Sequence, residues 1–402
     1  MHNRTKTGLD FIAHAINAAT NASTGRDTSA PIHRKAAAAL FGGEGNLRII
    51  ENHIRRCDDA HNASYNTHTR PLVSSGKPEP KGLSQIFEKA CLHWCEKTRP
   101  SVPSFAAQAV NVIKRDHGRS STPLPRPLDA LERAIALTSA RAEMVRGKAP
   151  SGATQENPYH NGLHTLNVAA LTLSMIRTQD HLADKDATVK PLGLRDKYVM
   201  LLAAIGHDID HPGTGNPPDN HYANENASYA VLKRIMTHCG VSRDDQDTVL
   251  TLIRTTSPNG PHAVMKQATA AHHAGTTPDW DTIDPQGKFT ELKTLKNPAL
   301  CEMAAILSDA DLGASAGFGG DVNYEMSRRL TDEAAIAGQS IDFTTPQARA
   351  FFIEKIVGAN GFASHAGGAI MNTAFQELSA QTNATLAQQK APLPTYGGGT
   401  KK

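Results

Sequence analysis

Histidine and aspartate side chains, which are common ligands of catalytic metal ions, lie close together at three places in the sequence. His160 and His164 are four residues apart in the segment NPYHNGLHTLNV at 157–168. His207 and Asp208 follow an apolar run and open the segment HDIDHPG, and Asp311 follows a third apolar run. Mixed imidazole and carboxylate ligands suit zinc, manganese, iron or magnesium, whereas structural zinc sites are rich in cysteine. The three segments therefore predict a catalytic metal site.

Each segment also has an explanation that involves no chemistry. Two histidines four residues apart often share a polar helix face by accident. The second segment is also consistent with a capped helix end before a Pro-Gly turn, and Asp309 with Asp311 is consistent with a turn before Gly313. The order of the three segments favours the metal site, because a histidine, then a His-Asp pair, then an aspartate beside separate buried helices is typical of the HD metal-dependent phosphohydrolases.

The elements that carry these segments are predicted to be helices. From Leu128 onward apolar residues recur at intervals of three and four, whereas the alternation typical of strands is scarce. The apolar runs lie at 131–145, 163–176, 198–205, 229–236, 249–253, 300–307, 324–337 and 351–357. Gly240 and Gly338 stand where helices are expected to stop. We therefore predict an all-α domain of eight or more helices with essentially no sheet.

Two proline-containing stretches divide the chain. Residues 1–82 are predicted to be an N-terminal extension, helical or partly disordered, that ends in a linker at 67–82. Residues 83–127 are predicted to hold a helix at 84–97 and a second linker with Pro123, Pro125 and Pro127. Residues 128–380 are the predicted catalytic domain, a compact multi-helix bundle. Residues 381–402 have little to bury and are predicted to be a disordered tail.

Composition argues against several classes of protein. The 42 Lys and Arg against 39 Asp and Glu give a net charge of +3, which offers no basic surface for nucleic acid. No apolar run is long enough to span a membrane. The five cysteines are too few for a disulfide framework, and Cys91, His93 and Cys95 lack a second ligand pair for zinc. We predict a cytoplasmic protein, with export by a dedicated secretion system as the alternative because the N-terminus is polar; protein partners are not predicted.

The wording of the motifs is more specific than their order. Tyr159, His160, Asn161 and His164 form the pattern YHNxxH, and the second segment continues as HDIDHPG from His207. Together with the Ala-Asp-Leu at 310–312, these motifs resemble the catalytic domain of the class I 3′,5′-cyclic nucleotide phosphodiesterases. Weaker similarity occurs at 225–226 and 352–357, so the resemblance covers roughly residues 128–378. It implies an HD-type helical bundle that hydrolyses a phosphodiester.

The resemblance also implies roles for individual residues. His164, His207, Asp208 and Asp311 would hold a zinc ion, and Asp208 would bridge to a second ion, magnesium or manganese. His211, Glu225 and Asn161 would orient water molecules around the ions. A water molecule between two cations becomes a hydroxide near neutral pH and attacks the phosphate. His160, one turn from a ligand but outside the ligand set, fits the general acid that protonates the leaving 3′ oxygen.

The sequence departs from the family pattern at the nucleotide base. Tyr159 and Phe352 match substrate-contacting positions, but Arg349 stands where the family has a glutamine that hydrogen-bonds the purine. An amide donates and accepts, whereas a guanidinium only donates, so Arg349 would read the base differently. A small helical distortion would instead present Gln347, and Phe352 as an ordinary core aromatic is a further alternative. The family's asparagine after the metal aspartate is also missing, since Gly313, Ala314 and Ser315 follow Leu312.

The function implied is hydrolysis of cyclic AMP, cyclic GMP or both to the 5′-monophosphate. The changed base position leaves open a two-metal hydrolase for another phosphoester, such as a dinucleotide. A module that senses a cyclic nucleotide with little turnover is the remaining alternative.

Overall fold

The computed structural model describes residues 8–13, 15, 38–41, 43–65, 100–118, 126–143, 147–148, 154–155, 157–217, 219–258, 260–358 and 360–389. Helices dominate these residues, which confirms the predicted all-α class. The exception within the described ranges is one antiparallel pair of two-residue strands, β1 (Gly147–Lys148) and β2 (Thr154–Gln155). The linker at 67–82, the helix predicted at 84–97, and Cys91, His93 and Cys95 lie outside the described residues.

The helices are numbered here in chain order. They are α1 (Glu44–Tyr65), α2 (Val102–Asp116), α3 (Arg126–Ala142), α4 (Gly162–Ala183), α5 (Leu194–Gly206), α6 (Ala223–Cys239), α7 (Arg243–Arg254), α8 (Pro261–His273), α9 (Trp280–Ile283), α10 (Pro298–Ala316), α11 (Gly319–Ile336), α12 (Pro346–Phe351) and α13 (His365–Gln389). A 3-10 helix (Thr290–Lys296) precedes α10, and a π-helix (Phe352–Val357) continues α12.

Helices α4, α5 and α10 form the centre of the bundle. Their residues are buried on nearly all faces, as expected for helices that are apolar all round. Helix α4 packs against α5, α10 and α13, α5 packs against α3 and α7, and α10 packs against α8 and α11. Because the three central helices carry the three predicted motifs, the motifs are held on the most rigid part of the fold.

Helix packing crosses the predicted boundary at residue 128. Helix α2, in the segment predicted as a helix and linker, packs against α3, α4 and α5. Its apolar face (Val102, Phe105, Val110 and Ile113) is buried in the core of the predicted catalytic domain. Leu47 and Ile54 of α1 are also fully buried. The described part of the N-terminal extension therefore belongs to the same hydrophobic core.

Two helices are longer than the sequence pattern predicts. The apolar run at 300–307 suggested that its helix ends before Asp309, but α10 continues to Ala316, so both aspartates lie inside a helix rather than in a turn. Helix α13 runs to Gln389, past the predicted start of the disordered tail at 381, and Thr382 on this stretch is buried. Residues 390–402 lie outside the described residues.

The predicted helix stops at two glycines are confirmed. Gly240 directly follows α6 with a φ of 75°, and Gly338 follows α11 by two residues with the same φ. Glycine adopts this left-handed conformation without the penalty that a Cβ atom imposes.

Among the helices of the described ranges, none combines the length and the apolarity that crossing a membrane requires.

Candidate metal centre and active site

Two histidines and two aspartates from three central helices meet in one place. His164 lies in the first turn of α4, His207 and Asp208 directly follow α5, and Asp311 lies in α10. One ligand atom from each lies within 4.8 Å of the others. The Nε2 atom of His164 is 3.1 Å from an oxygen of Asp208 and 3.1 Å from an oxygen of Asp311. The Nε2 atom of His207 is 3.0 Å and 3.6 Å from the same two oxygens.

Asn161 sets the position of His164 by capping α4. Its side-chain oxygen accepts hydrogen bonds from the backbone N–H groups of Leu163 (2.9 Å) and His164 (3.2 Å). Its amide nitrogen donates to the carbonyl oxygens of Asn157 and Pro158. Side chains of this type satisfy the free N–H groups at a helix start. Both ends of the Asn161 amide therefore hydrogen-bond to the backbone. The side chain caps α4, the helix that carries His164.

The turn that carries His207 and Asp208 depends on a glycine and on a strained aspartate. A Cβ atom on Gly206 would lie 2.7 Å from Leu232, so only glycine lets the end of α5 approach α6 this closely. Asp210 has a φ of 60°, which is uncommon for a residue other than glycine. Arg141 donates to both carboxylate oxygens of Asp210, at 2.6 and 2.5 Å. This ion pair holds the turn in the conformation that directs Asp208 toward His164.

Hydrogen bonding selects the nitrogen of His207 that faces the cluster. Its Nδ1 atom lies 2.9 Å from the carbonyl oxygen of Ala204, so Nδ1 carries the proton and donates it. Nε2 then faces the two aspartates. The Nδ1 atom of His164, by contrast, is buried and has no hydrogen-bond partner among the described residues.

The charges of the cluster are mutually dependent. Burial favours the neutral form of Asp208, but the neighbouring His207 and His160 hold its pKa well below the usual range. Burial also disfavours ionisation of Asp311, yet hydrogen bonds from His164 and His207 lower its pKa strongly. Both carboxylates are therefore charged at neutral pH, at the centre of a site where His164 and His207 are buried. A buried pair of carboxylates demands a compensating positive charge.

His160 lies beside the metal cluster and outside it. Its Nε2 atom is 4.0 Å from Asp208, and its ring stacks on that of His211 with centroids 3.7 Å apart. Its Nδ1 atom forms a short hydrogen bond with the carboxylate of Glu333. The other oxygen of Glu333 accepts the backbone N–H groups of Tyr159 and His160, both at 2.9 Å.

Glu333 is the residue of the site that the sequence reasoning missed. It is 3% exposed, and although burial raises the pKa of its carboxyl, the charge and hydrogen bonds of His160 lower it to about 2. A signal was present in the sequence, because Glu333 occupies the buried side of α11 together with Val322 and Met326. A charged residue at a core position of a helix indicates a buried partner.

His211 and Glu225 lie close to the cluster, on its α6 side. Burial lowers the pKa of His211 to about 3, so its ring is neutral. One ring nitrogen accepts the N–H of Gly213 at 3.1 Å and the other lies 3.2 Å from the amide of Asn224. Burial raises the pKa of Glu225 to about 7, and Asn216 donates to its carboxylate at 2.8 Å.

Tyr159 packs against the metal cluster. Its ring centroid is 4.7 Å from that of His164, and its hydroxyl lies 2.9 Å from the hydroxyl of Ser315. It is 8% exposed, so little of the side chain is open to a substrate. The contact with Tyr159 restricts the orientation of the His164 ring.

The predicted base-binding residues do not converge as the metal ligands do. Phe352 is partly buried and packs against the core, at the first position of the π-helix. Gln347 lies in the first turn of α12 and is partly buried. Arg349 donates from its Nε atom to the side-chain oxygen of Asn323 at 2.6 Å. Asn323 in turn donates to the carbonyl oxygen of Ser315 at 2.9 Å, so Arg349 is tied to α11 and α10.

The four donors of the cluster fit a bound cation. Two imidazole nitrogens and two carboxylates are the mixture that zinc accepts, and their ligand atoms already lie within reach of one point. The lowered pKa values of both aspartates keep the carboxylates ionised, and a bound cation would replace the protons that His164 and His207 share with them.

One family model matches the part of the chain that carries most of this site. Residues 159–236 match the family model described as 3′5′-cyclic nucleotide phosphodiesterase, a range that contains His160, His164, His207 and Asp208. No curated protein matches the chain. Three solved structures are similar: LmjPDEB1 in complex with IBMX, and two structures of the phosphodiesterase domain of the rhodopsin phosphodiesterase from the choanoflagellate Salpingoeca rosetta.

The three alignments differ little. LmjPDEB1 is 14% identical, with a TM-score of 0.49 over 78% of this chain and 99% of that one. The S. rosetta structures are 16% and 15% identical, with TM-scores of 0.44 and 0.47, over 83% and 80% of this chain and 97% and 99% of theirs. The family match agrees with the motifs quoted from the sequence. Residues 159–236, which carry three of the four clustered donors and His160, are therefore similar in sequence to the 3′5′-cyclic nucleotide phosphodiesterase family.

Proposed function

We propose that the chain hydrolyses a 3′,5′-cyclic nucleotide, cyclic AMP or cyclic GMP, to the 5′-monophosphate with the help of two cations. His164, His207, Asp208 and Asp311 would hold a zinc ion, and Asp208 would be shared with a magnesium or manganese ion. The observation that carries the proposal is the convergence of these four donors, from α4, α5 and α10, within 4.8 Å of one another. Two bound cations would lower the pKa of a water molecule and neutralise charge on the phosphate.

The protein's own contribution to proton transfer is the pair of His160 and Glu333. Because Glu333 is ionised and can only accept, the Nδ1–H group of His160 donates to it, which fixes the orientation of the ring. Nε2, the other ring nitrogen, lies 4.0 Å from Asp208 and so faces the cluster. Cleavage of the P–O3′ bond leaves an alkoxide that needs a proton. We assign His160 as the general acid that supplies it.

His211 and Glu225 support this arrangement from the other side. The neutral ring of His211 stacks on His160 and restricts its rotation. Glu225, held by Asn216, offers a carboxylate beside Asp208 that would orient water molecules around the cations. Neither group is required to change its protonation state in the reaction.

Recognition of the base is assigned to Phe352 and Gln347. Arg349 already donates to Asn323, so using it for the base would break an existing hydrogen bond. Phe352 is partly exposed and offers an aromatic face on which a base can stack. Gln347, on the preceding helix α12, supplies an amide that both donates and accepts.

A turnover assay tests the proposal. The purified chain, supplied with zinc and with magnesium or manganese, is incubated with cyclic AMP and with cyclic GMP, and the 5′-monophosphate is quantified. We expect release of product from at least one of them. Recovery of both nucleotides unchanged from metal-loaded protein would contradict hydrolysis, and would favour a sensing module if either nucleotide stays bound.

A further inference from the structure

A second group of metal-binding side chains lies away from the active site. His273 is the last residue of α8, Glu302 lies in the second turn of α10, and His365 is the first residue of α13. One ligand atom from each of the three lies within 4.8 Å of the others. Glu302 and Asp311 share α10 but are nine residues apart, about 14 Å along the helix axis. The group is therefore separate from the catalytic cluster.

Glu302 holds the two histidines in a defined arrangement. The Nε2 atom of His273 lies 2.8 Å from one oxygen of its carboxylate, and the Nδ1 atom of His365 lies 3.3 Å from the other. The backbone N–H of His365 also donates to Glu302, at 3.1 Å. The carboxylate is thus oriented by the main chain and not only by mobile side chains.

The two imidazole rings lie side by side next to Glu302. The ring centroids of His273 and His365 are 3.7 Å apart, and one ligand atom of each ring lies within 4.8 Å of a carboxylate oxygen of Glu302. An imidazole binds a metal ion through the lone pair of a ring nitrogen, so both rings can bind the same ion as Glu302.

We infer that His273, Glu302 and His365 form a zinc site with three protein ligands. Two imidazoles and one carboxylate are a known zinc ligand set, whereas magnesium and calcium prefer oxygen alone. His273 is exposed at the end of α8, so an ion can enter from solvent and a water molecule can complete the coordination. A bound ion would link α8, α10 and α13.

The segment before His365 is already fastened to the same helix. Asp309 of α10 accepts the backbone N–H groups of Ala363 (2.9 Å) and Ser364 (2.7 Å) and the hydroxyl of Ser364 (2.7 Å). His365 is therefore held near Glu302 whether or not an ion is present. Because the ligands are preorganised, little ordering has to accompany metal binding.

Metal counting on the full chain tests the site. Metal-free protein is loaded with zinc in the presence of excess magnesium, desalted, and analysed by mass spectrometry for zinc per chain. The double variant His273→Ala, His365→Ala should hold one zinc ion fewer than the parent protein. The matched control is His272→Ala, which removes the adjacent imidazole that contacts the carbonyl oxygen of Leu295, and it should hold as much zinc as the parent.

Turnover of cyclic nucleotide is measured on the same samples. The double variant should retain activity, which would show that the variant is folded and that the new site is separate from the catalytic one. If it does not fold, Glu302→Gln replaces it, because the amide oxygen can still accept the N–H of His365. Loss of one zinc ion in Glu302→Gln would support the site. Equal zinc in the parent and in the folded variant, or an equal loss in His272→Ala, would overturn it.

Discussion

The metal cluster and the base-binding region of this molecule are built in different ways. At the cluster, His164, His207, Asp208 and Asp311 arrive from three central helices and point at one another. At the other region, Gln347, Arg349 and Phe352 lie on α12 and the π-helix, and Arg349 hydrogen-bonds to Asn323 while it also lines a surface pocket. The positions of the cluster residues thus depend on where helices start and stop. The arrangement of the base-binding region depends on which group the long Arg349 side chain hydrogen-bonds.

The two regions should differ in how well they tolerate substitutions. Displacing a ligand at the cluster leaves a buried carboxylate uncompensated, which is costly. Exchanging one hydrogen-bond partner of Arg349 costs little more than a single hydrogen bond. We therefore expect substitutions at the cluster to have large effects and substitutions near Arg349 to have small ones.

Loss of a ligand should have the largest effect. In His164→Ala, one of the four donors is removed, so we expect bound zinc to fall and turnover to drop by at least about 10⁴-fold, since a catalytic cation contributes several kcal/mol. Zinc content by mass spectrometry and kcat measure the two effects. His181→Ala, at the far end of the same helix, is the control and should behave as the parent protein. Zinc retention by His164→Ala would remove it from the ligand set.

Loss of the acid should come next. In His160→Ala we expect both ions to remain bound and kcat to fall by about 10² to 10⁴-fold, because a proton donor is lost while the donors of the cluster are intact. A nitrophenyl phosphodiester has a leaving group that needs no proton, so on this substrate the deficit should shrink. On the same ester, the deficit of His164→Ala should persist.

A loss of zinc in His160→Ala, or cyclic nucleotide turnover near the parental rate, would contradict the assignment. Either result would also weaken the distinction between ligand and acid, since the two histidines are only four residues apart in the sequence.

The sequence predicted the helical class and the residues of the cluster more fully than their surroundings. Spacing indicated which side chains share a buried helix, and Gly240 indicated where α6 stops. The length of α10 could not be read from its apolar run, because Asp309 and Asp311 interrupt the pattern although one binds the 363–364 segment and the other faces the cluster. Glu333 was missed because its partner, His160, is 173 residues away in the chain and no local pattern links them.

Glu333 offers an effect of intermediate size. In Glu333→Gln, the amide keeps the shape of the side chain but removes the charged acceptor of the His160 Nδ1–H group. Hydrogen bonds to charged groups contribute about 1.5–3 kcal/mol, so we expect kcat to fall about 10- to 100-fold. Zinc content should stay the same and KM should change little.

Glu333→Asp is the companion variant, since it retains the charge on a shorter side chain. Partial recovery of kcat relative to Glu333→Gln would support the positioning role. A kcat in Glu333→Gln equal to that of the parent protein would show that His160 acts without this carboxylate.

The smallest effect is expected at Arg349. In Arg349→Ala, the hydrogen bond to Asn323 is lost, but this bond holds neither a metal ligand nor the amide assigned to the base, so KM for the cyclic nucleotide should rise by no more than about 10-fold. Gln347→Ala, two residues earlier on α12, should raise KM more, because it removes the amide assigned to the base. Measuring KM for both variants with cyclic AMP and with cyclic GMP compares the two positions directly. If Arg349→Ala instead raises KM more than Gln347→Ala and changes the preference between the two nucleotides, the guanidinium leaves Asn323 to contact the base, and this region is as specifically built as the metal cluster.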